Sequence, residues 1–300
     1  MSKNLTVSIL IPCYNEEANI RKLLMKVLLF AKYTKYNVEE ILIVDSSLDR
    51  TPIIIDQIAK VYKIIRHIYF KERKNVNEAF NILVEKCKGD VFIWLNADID
   101  FDPKELDKLI DVLINRDDVA VVSPRFCPTK RSFSTLIGRA MCFGVKLTDR
   151  LRSTGQWILI GRVFAAKRKY FTFKIPKHLL DPDSFIFFKV REYGLKSIYY
   201  PEVCIHFTVP LSWRDFIIEN ARFEIGQRQL VNEYPEWKYM YNYWRTPTGL
   251  FMKSFIKTLI EDPIDGIIWV LLKISYRLLE NFLLKIYDIT YSAESTKVTD

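Results

Sequence analysis

Oxygen-bearing side chains occupy alternate positions directly after one apolar run: Asn96, Asp98 and Asp100. If the chain stays extended there, the two-residue period of a strand puts all three on one side. Such ligands suit Mg²⁺ or Mn²⁺, which take one or two carboxylates and leave the other positions to water and substrate phosphates. The spacing favours a site in which the metal ion binds a diphosphate, although acids in an ordinary turn give the same pattern. Asp102, which precedes Pro103, fits a helix cap instead.

Short β-branched runs alternate with longer helical patterns in the first 120 residues, which predicts βαβ units around a mainly parallel sheet. The predicted strands cover residues 7–11, 41–44, 68–70 and 91–95, and the predicted helices cover 16–33, 51–64 and 76–87. Ligands of such sheets bind beyond the carboxyl ends of the strands. Polar loops follow three of these strands, at residues 12–16, 45–47 and 96–100. No glycine-rich dinucleotide or P-loop motif occurs, which argues against a dehydrogenase and a P-loop NTPase.

The composition sets wider bounds on the function. The chain has 300 residues and a net charge of +9, which favours anionic partners such as nucleotide diphosphates or phospholipid headgroups. Nucleic acid is not expected as a partner, because no helix-turn-helix, zinc-finger or RNP-like pattern is visible. The five cysteines are widely spaced and form no C-x-x-C pair. We therefore expect reduced thiols in a cytoplasmic protein, and the first residues do not resemble a signal peptide.

Four segments together resemble the family 2 glycosyltransferases, which have the GT-A fold. They are residues 11–17, residues 43–51, residues 78–81 and residues 89–98. Their order and spacing match over about the first 105 residues. The resemblance implies an α/β, Rossmann-like sheet with flanking helices. It also implies an inverting transfer of sugar from a UDP- or GDP-sugar with Mn²⁺ or Mg²⁺.

The resemblance implies roles for individual residues of the first half. Pro12, Tyr14 and Glu16 match the loop around the base and ribose, and Asp45 matches the acid that reads the base. Asp98 matches the metal-binding aspartate of the D-x-D motif.

Asp100 matches a second metal ligand found in related polyprenyl-phosphate sugar synthases. Asn96 replaces the first acid of D-x-D and is assigned to nucleotide-sugar binding with Asp98. Asn75 and Val76 stand where a Gly-Lys pair is common, so Arg73 and Lys74 are the nearest basic residues for phosphate contacts.

The second half resembles the family more loosely. Residues 161–168 resemble the segment that shapes the acceptor side, and residues 181–186 lie where the family has its E-D or D-D motif. Asp183 matches the general base of that motif, and a helix N-cap is the alternative role for it. Arg222, in a degenerate Q-x-x-R-W segment, is a candidate phosphate ligand or a surface ion pair. His206 matches a third metal ligand, although a lone histidine is more often structural.

The C-terminal part is predicted to form two amphipathic helices, over residues 250–262 and 266–288. Charged residues recur every three to four positions, and burying a central Lys or Arg in a bilayer costs about 2.5–3.5 kcal/mol. Peripheral membrane association is therefore favoured over spanning, and packing on the catalytic domain or a homodimer is the alternative. We expect a GT-A domain over residues 1–245, divided near residue 120, a helical appendage over 246–290 and a flexible tail over 291–300.

The predicted activity is a metal-dependent transfer of sugar to a lipid-linked, glycan or polyprenyl-phosphate acceptor at the cytoplasmic membrane face. A nucleotidyltransferase would be expected to show a glycine-rich basic loop after the first strand, which residues 12–16 do not provide. A degenerate, non-catalytic sugar- or partner-binding module is the other alternative. Asn96 and the eroded Q-x-x-R-W segment favour it, whereas Asp45, Asp98 and Asp183 speak against it.

Overall fold

The computed structural model describes residues 5–155, 161–243 and 246–286. The chain forms two compact units that alternate along the sequence. The first unit comprises Met1–Arg125, Ile160–His178 and Phe185–Ile205, and the second comprises Phe126–Leu159, Leu179–Ser184 and His206–Asp300. The tail predicted for residues 291–300 lies outside the described residues.

An eight-stranded sheet has the order β3-β2-β1-β4-β7-β6-β8-β5. The strands are β1 (Thr6–Cys13), β2 (Asn37–Asp45), β3 (Ile65–Tyr69), β4 (Val91–Leu95), β5 (Ile99–Asp100), β6 (Val119–Pro128), β7 (Val163–Lys167) and β8 (Lys196–Phe207). The first four strands pair in parallel, whereas β7 pairs antiparallel with both β4 and β6. The predicted α/β class with a parallel nucleotide-side sheet is confirmed.

The described residues contain nine α-helices. They are α1 (Ile20–Tyr33), α2 (Thr51–Val61), α3 (Val76–Lys86), α4 (Leu106–Ile114), α5 (Leu136–Ser153), α6 (Pro182–Glu192), α7 (Trp213–Glu233), α8 (Thr248–Glu261) and α9 (Pro263–Ile286). Every residue of β4 is buried, as expected for a parallel strand covered on both faces. Continuous apolar runs in β1, β2 and β4 therefore build the core of the first unit.

Helix α1 begins four residues later than the sequence predicts. The prediction placed its start at Glu16 and Glu17, but Asn15 has a φ of 56° and turns the chain into a loop before Ile20. The left-handed region suits asparagine better than most residues, although a helix cannot propagate from it. The acids after β1 consequently belong to a loop rather than to the first helical turn.

The remaining parts of the motif segments have structural roles in the first unit. Asn75 is the N-cap of α3 and forms a capping box with Glu78, which explains why a cap residue stands there. Gly89 approaches β1 so closely that a Cβ would lie 2.5 Å from the amide nitrogen of Ser8. Asn81 exchanges two hydrogen bonds of 2.8 Å with the backbone of Ile175. These contacts hold α3 against the segment around Ile175 and the residues before β4 against β1.

Helices α5, α7, α8 and α9 belong to the second unit. Phe143 and Leu147 of α5 pack against Phe255 of α8 and Trp269 of α9. At one point α5 is so close to α9 that a Cβ at Gly144 would lie 2.6 Å from the indole nitrogen of Trp269. Within the described residues, no helix is both long enough and apolar enough to cross a bilayer.

The expectation of five reduced thiols is wrong for two cysteines. Cys13, Cys87 and Cys142 are buried free thiols, but Cys127 and Cys204 are disulfide-bonded. Sequence spacing does not reveal which strands become neighbours, so a wide spacing of cysteines does not exclude a disulfide bond. Burial, followed by the charge of Asp45, raises the pKa of Cys13.

Candidate active site

The direction of chain winding reverses at β1, which lies between β2 and β4 in the sheet. Strands β1 and β4 run in parallel, with Leu10 opposite Trp94, so the loops that follow them leave the same edge. A crevice at such a reversal is where open α/β sheets bind ligands. The structure therefore brings the loops after β1, β2 and β4 to one edge of the first unit, as the sequence predicts.

The loops after β1 and β2 are joined by reciprocal hydrogen bonds. The amide of Asn15 donates to Ser47 Oγ at 2.8 Å, and the amide of Leu48 donates to Asn15 Oδ1 at 2.9 Å. The amide of Glu16 donates to Thr51 Oγ1 at 2.8 Å. The two loops consequently form one rigid polar wall.

The predicted base and ribose loop lies on this wall. Pro12 is half-buried at the end of β1, and the half-buried ring of Tyr14 has the guanidinium of Arg73 4.4 Å from its centroid. Glu16 is 9% exposed, and its carboxylate accepts from Asn19 Nδ2 at 2.9 Å. Arg73 therefore stands beside the predicted nucleotide loop, where its charge favours a diphosphate.

Asp45 is completely buried at the end of β2. One carboxylate oxygen accepts from the amide of Ser47 at 2.8 Å and from its hydroxyl, and the other lies 3.2 Å from His67 Nε2. The opposite ring nitrogen, Nδ1, lies 2.7 Å from Asp56 Oδ1. Burial opposes protonation of the ring, but the two carboxylates outweigh it and raise the pKa of His67. Sequence reasoning missed His67, because nothing in the sequence marks a residue of β3 as a neighbour of Asp45.

The segment after β4 does not remain extended. The chain turns at Ala97 and Asp98 before the short strand β5, so the expectation of three side chains on one side is wrong. Asp98 forms an ion pair with the guanidinium of Arg162, and its side chain is 12% exposed. Asn96 Oδ1 accepts from the indole nitrogen of Trp94 at 3.1 Å. The carboxylate of Asp98 is thus already matched to a positive charge.

Asp100 is held by lysines of α1. Its carboxylate lies 3.0 Å from Lys22 Nζ and also pairs with Lys26. Burial opposes ionisation of Asp100, but the two lysines outweigh it and lower its pKa. Asp98 and Asp100 therefore have different partners.

The predicted cap role of Asp102 is confirmed, since its carboxylate accepts from the amide of Lys104 at 3.0 Å.

The residues after β4 fit a divalent cation that is held by one carboxylate. No cluster of three or more His, Cys, Asp or Glu side chains suited to a metal occurs in the described ranges. A site with one protein carboxylate is ordinary for Mg²⁺, because water and substrate phosphates supply the other ligands. Asp98 is a hard oxygen ligand that now pairs with a cation. His206 is exposed near the end of β8, and its metal role stays a prediction.

A second group of predicted residues lies in the second unit. Asp181 precedes α6 and accepts from the amide of Ser184 at 3.1 Å and from its hydroxyl at 2.5 Å. The N-cap of α6 is therefore Asp181, and the alternative cap role for Asp183 is wrong, because Pro182 takes the first helical position. Asp183 is half-buried in the first turn of α6, where the helix dipole favours a carboxylate.

Helix α7 packs directly against the segment before α6. Gly226 lies so close to Asp181 that a Cβ would be 2.6 Å from its Cβ, and Gln229 Oε1 accepts from the amide of Leu180 at 3.1 Å. Burial raises the pKa of Asp181, while Ser184 and the charge of half-buried Arg222 partly offset this effect. Arg222 thus acts on the cap of the helix that carries Asp183. Sequence reasoning missed Gly226, although a glycine inside a helical pattern was a usable signal.

Known proteins resemble this chain in sequence. The profile of the family described as glycosyl transferase family 2 matches residues 8–173. An undecaprenyl-phosphate 4-deoxy-4-formamido-L-arabinose transferase of Pseudomonas fluorescens is 31% identical over 153 residues, which are 48% of this chain and 44% of that protein. A dolichol-phosphate mannosyltransferase of Pyrococcus furiosus is 30% identical over 119 residues, 39% of this chain and 32% of that protein. The matched part thus spans less than half of either relative.

Solved structures resemble most of the chain in fold. A mannosyltransferase from Pyrobaculum calidifontis, solved with GDP-Man and Mn²⁺, has a TM-score of 0.62 at 18% identity and covers 95% of this chain and 81% of its own. A glucosyl-3-phosphoglycerate synthase from Mycobacterium tuberculosis has a TM-score of 0.53 at 17% identity, with 82% and 81% covered. These similarities show the GT-A fold. With more than half of its length matched by the family profile, the chain belongs to glycosyl transferase family 2.

Proposed function

We propose that this enzyme transfers a sugar from a UDP- or GDP-sugar to a lipid-linked acceptor of the polyprenyl-phosphate or lipid-glycan class, with inversion at the anomeric carbon. The observation that carries the proposal is the arrangement of side chains in the loops at the carboxyl ends of β1 and β4. Tyr14 and Asp98 lie in the loops that follow the neighbouring parallel strands β1 and β4, and Arg73 lies beside Tyr14. Such sheets bind ligands at this point. The polyprenyl-phosphate transferases among the sequence relatives support the acceptor class.

In the proposed donor site, Tyr14 and Pro12 border the base and ribose. Asp45 has no exposed surface, so it reads the base directly only after a neighbouring side chain moves. Otherwise it orders the loop through Ser47. Arg73 and Arg162 are the cations available to the diphosphate, and Asn96 and Glu16 complete the polar lining. A divalent cation, held by Asp98 and the diphosphate, would act as a Lewis acid on the departing nucleotide diphosphate.

In the proposed mechanism, Asp183 accepts the proton of an acceptor hydroxyl as its oxygen attacks the anomeric carbon. The bond between that carbon and the diphosphate oxygen breaks with its electron pair leaving to the diphosphate. The attack comes from the opposite face, so the configuration inverts. When the acceptor is a phosphate, its oxygen is already ionised and Asp183 is needed less. Arg222 then has the charge to orient the acceptor phosphate.

The C-terminal helices have a polarity that supports docking on a membrane surface. The fully buried residues of α8 are Ser254 and Thr258, and Phe251 and Phe255 are partly buried against α5. The opposite face of α8 also carries large apolar residues, and these are exposed. Helix α9 continues this pattern. The apolar surface row consists of Met252, Ile256, Ile260, Ile264, Ile267, Leu271, Ile274 and Leu278, each at least 45% exposed. A helix that packs only within its own fold would bury such a row.

The charge distribution favours anionic lipid as the occupant of the apolar surface row. Glu261 pairs with Lys146 and Arg150, Asp262 with Lys146, and Asp265 with Arg139. These acids are therefore neutralised by α5. Lys253 and Lys257 are exposed beside the row. Apolar side chains flanked by lysines suit an interface rich in anionic headgroups.

Vesicle sedimentation tests the membrane proposal. Ile260→Glu should reduce binding to vesicles of phosphatidylcholine and phosphatidylglycerol, whereas Ile53→Glu, at an exposed position on α2, should not. Phosphatidylcholine alone should bind more weakly. Equal sedimentation of both variants would exclude this surface, and a dimer that dissociates only in Ile260→Glu would assign the row to a homodimer.

Nucleotide binding tests the donor site. We expect one of UDP-glucose and GDP-mannose to raise the melting temperature in a Mn²⁺-dependent manner. Asp98→Ala should abolish the metal dependence. Asp100→Ala is the matched variant, because its carboxylate is engaged by Lys22 and Lys26, and it should keep the metal dependence while lowering the baseline stability.

Absence of any nucleotide effect would favour the alternative of a non-catalytic module. Transfer of labelled sugar to a polyprenyl phosphate, lost in Asp98→Ala, would distinguish an enzyme from that alternative. The anomeric configuration of the product, read by NMR coupling constants, tests inversion.

A further inference from the structure

The imidazole of His67 lies between two carboxylates in the first unit. Nδ1 is 2.7 Å from Asp56 Oδ1, and Nε2 is 3.2 Å from Asp45 Oδ2. A carboxylate only accepts hydrogen bonds, and a neutral imidazole has a single N–H. Both contacts are hydrogen bonds only when both ring nitrogens carry protons. The geometry therefore calls for an imidazolium, unless a carboxyl group holds the second proton.

The surroundings of His67 contain few other charges. It lies on β3, an edge strand of the sheet, which pairs with β2 and packs against α2. The titratable groups that face the ring are Asp45 from β2, Asp56 from α2 and Tyr69 from its own strand, whose ring centroid is 6.2 Å away. The side chain of His67 is 7% exposed, whereas that of Asp56 is 63% exposed. Solvent thus reaches this chain of contacts from the Asp56 side.

A continuous set of hydrogen bonds leads from His67 to the loop after β1. Asp45 accepts from the amide and hydroxyl of Ser47, and Ser47 Oγ accepts from the amide of Asn15 at 2.8 Å. Tyr69 donates to the backbone oxygen of Ser47 at 3.3 Å. Asn15 directly follows Tyr14 in the predicted nucleotide loop. The carboxylate of Asp45 is thus connected to that loop through Ser47.

We propose that His67 is a positioning residue for donor binding: its imidazolium fixes Asp45, and through Ser47 the loop after β1, so that donor affinity falls as the ring loses a proton. This inference rests on the proposed function, since it concerns the same donor site. A charged hydrogen bond is roughly twice as strong as a neutral one. If the charged hydrogen bond between His67 and Asp45 becomes a neutral one, we therefore expect the affinity for the donor to fall about fivefold to tenfold.

The test measures the dissociation constant of UDP-glucose and of GDP-mannose by calorimetry from about pH 5.5 to about pH 8.5, a range on both sides of the ordinary histidine pKa. The diphosphate of a nucleotide sugar is doubly esterified, so its own charge stays constant there. We expect wild-type affinity to fall with rising pH. His67→Gln should bind more weakly at low pH and show a flat profile.

A second variant acts at the solvent side of the contacts. Asp56→Asn removes one of the two charges that favour the imidazolium, so the fall in affinity should move to lower pH. Asp117→Asn, at an exposed position far along the chain, is the matched control and should keep the wild-type profile. Asp56 is largely exposed, and its replacement therefore tests the idea even if His67→Gln folds poorly.

Side-chain nitrogen NMR of the ligand-free protein gives a readout that needs no nucleotide. The chain has three histidines, and His67→Gln assigns the relevant signal. Two protonated ring nitrogens near neutral pH support the proposal, whereas a neutral ring overturns it. Binding with a pH profile that His67→Gln leaves unaltered also overturns it and leaves the proposed function intact. No nucleotide binding at any pH would refute the proposed function and this inference with it.

Discussion

Replacing Gly226 with alanine should destabilise the second unit, even though alanine is the better helix former. In a helix interior the exchange gains about 0.5–1 kcal/mol. At this position, however, the new Cβ would lie 2.6 Å from Asp181 Cβ, 2.9 Å from its nitrogen and 3.3 Å from its Cα. None of these atoms is the flexible end of a side chain, and Asp181 is only 6% exposed. Overpacking of such a rigid contact costs about 1–3 kcal/mol.

The cost should exceed the gain, and the two ranges leave a net loss of up to about 2.5 kcal/mol. Gly249→Ala is the matched control, because nothing lies within 4 Å of a Cβ built on that helical glycine. It should be neutral or slightly stabilising. Thermal unfolding followed by circular dichroism compares the two variants, and each kcal/mol corresponds to about 2–4 °C. We expect Gly226→Ala to melt several degrees below Gly249→Ala.

The same substitution should affect turnover more than donor binding. Asp181 caps the helix that carries Asp183, so a displaced cap moves the proposed base. The donor loops lie in the first unit and should bind nucleotide with unchanged affinity. A Gly226→Ala variant as stable as Gly249→Ala would refute the packing argument. A destabilised variant with full turnover would show that the position of the cap does not govern Asp183.

Three further predictions concern buried charges of the first unit. Arg162→Gln should raise the affinity of the nucleotide-free protein for Mn²⁺ by a factor of about ten to a hundred, measured by electron paramagnetic resonance, because Asp98 then no longer loses a charged hydrogen bond of about 1.5–3 kcal/mol when it binds the metal. Folding raises the pKa of His67, so its contribution to the free energy of unfolding is complete below the unfolded pKa near 6.5 and is lost as the pH rises through the folded pKa. Urea unfolding at several pH values should show this loss in the wild type and not in His67→Gln. Glu40→Ala should cost about 2–4 kcal/mol, because this buried carboxylate accepts from a side chain and a backbone amide and pairs with an arginine, whereas exposed Glu39→Ala should be neutral in the same unfolding assay.

The sequence predicts the sheet edge well, because its signals are local. A fully apolar run bounded by polar residues defines β4 at its observed ends, Val91 and Leu95. The acids that follow β4 lie at the carboxyl end of the parallel strands, so the position of the candidate site in the first unit could be predicted. The start of α1 could not, because the left-handed conformation of Asn15 depends on a partner in another loop.

The partners of the predicted residues could not be predicted either. Arg162 reaches Asp98 across 64 positions of sequence, and His67 meets Asp45 only because β3 lies beside β2. The short segment 181–183 contains two carboxylates, and Asp181 is the cap because the helix begins at Pro182, while α7 packs against that cap. Patterns of residue type thus identify the edge of a site, whereas the partners of each charge come from tertiary packing.

The braced loops after β1 and β2 have a consequence for the thermodynamics of ligand capture. Their cross-links join residues 32 to 35 positions apart, so most of their conformational entropy is lost during folding. A nucleotide that enters finds an ordered wall and does not have to immobilise it, which increases the net binding free energy. Loosening the wall, for example with Asn15→Gly, should therefore weaken binding through an unfavourable entropy change at nearly constant contact enthalpy.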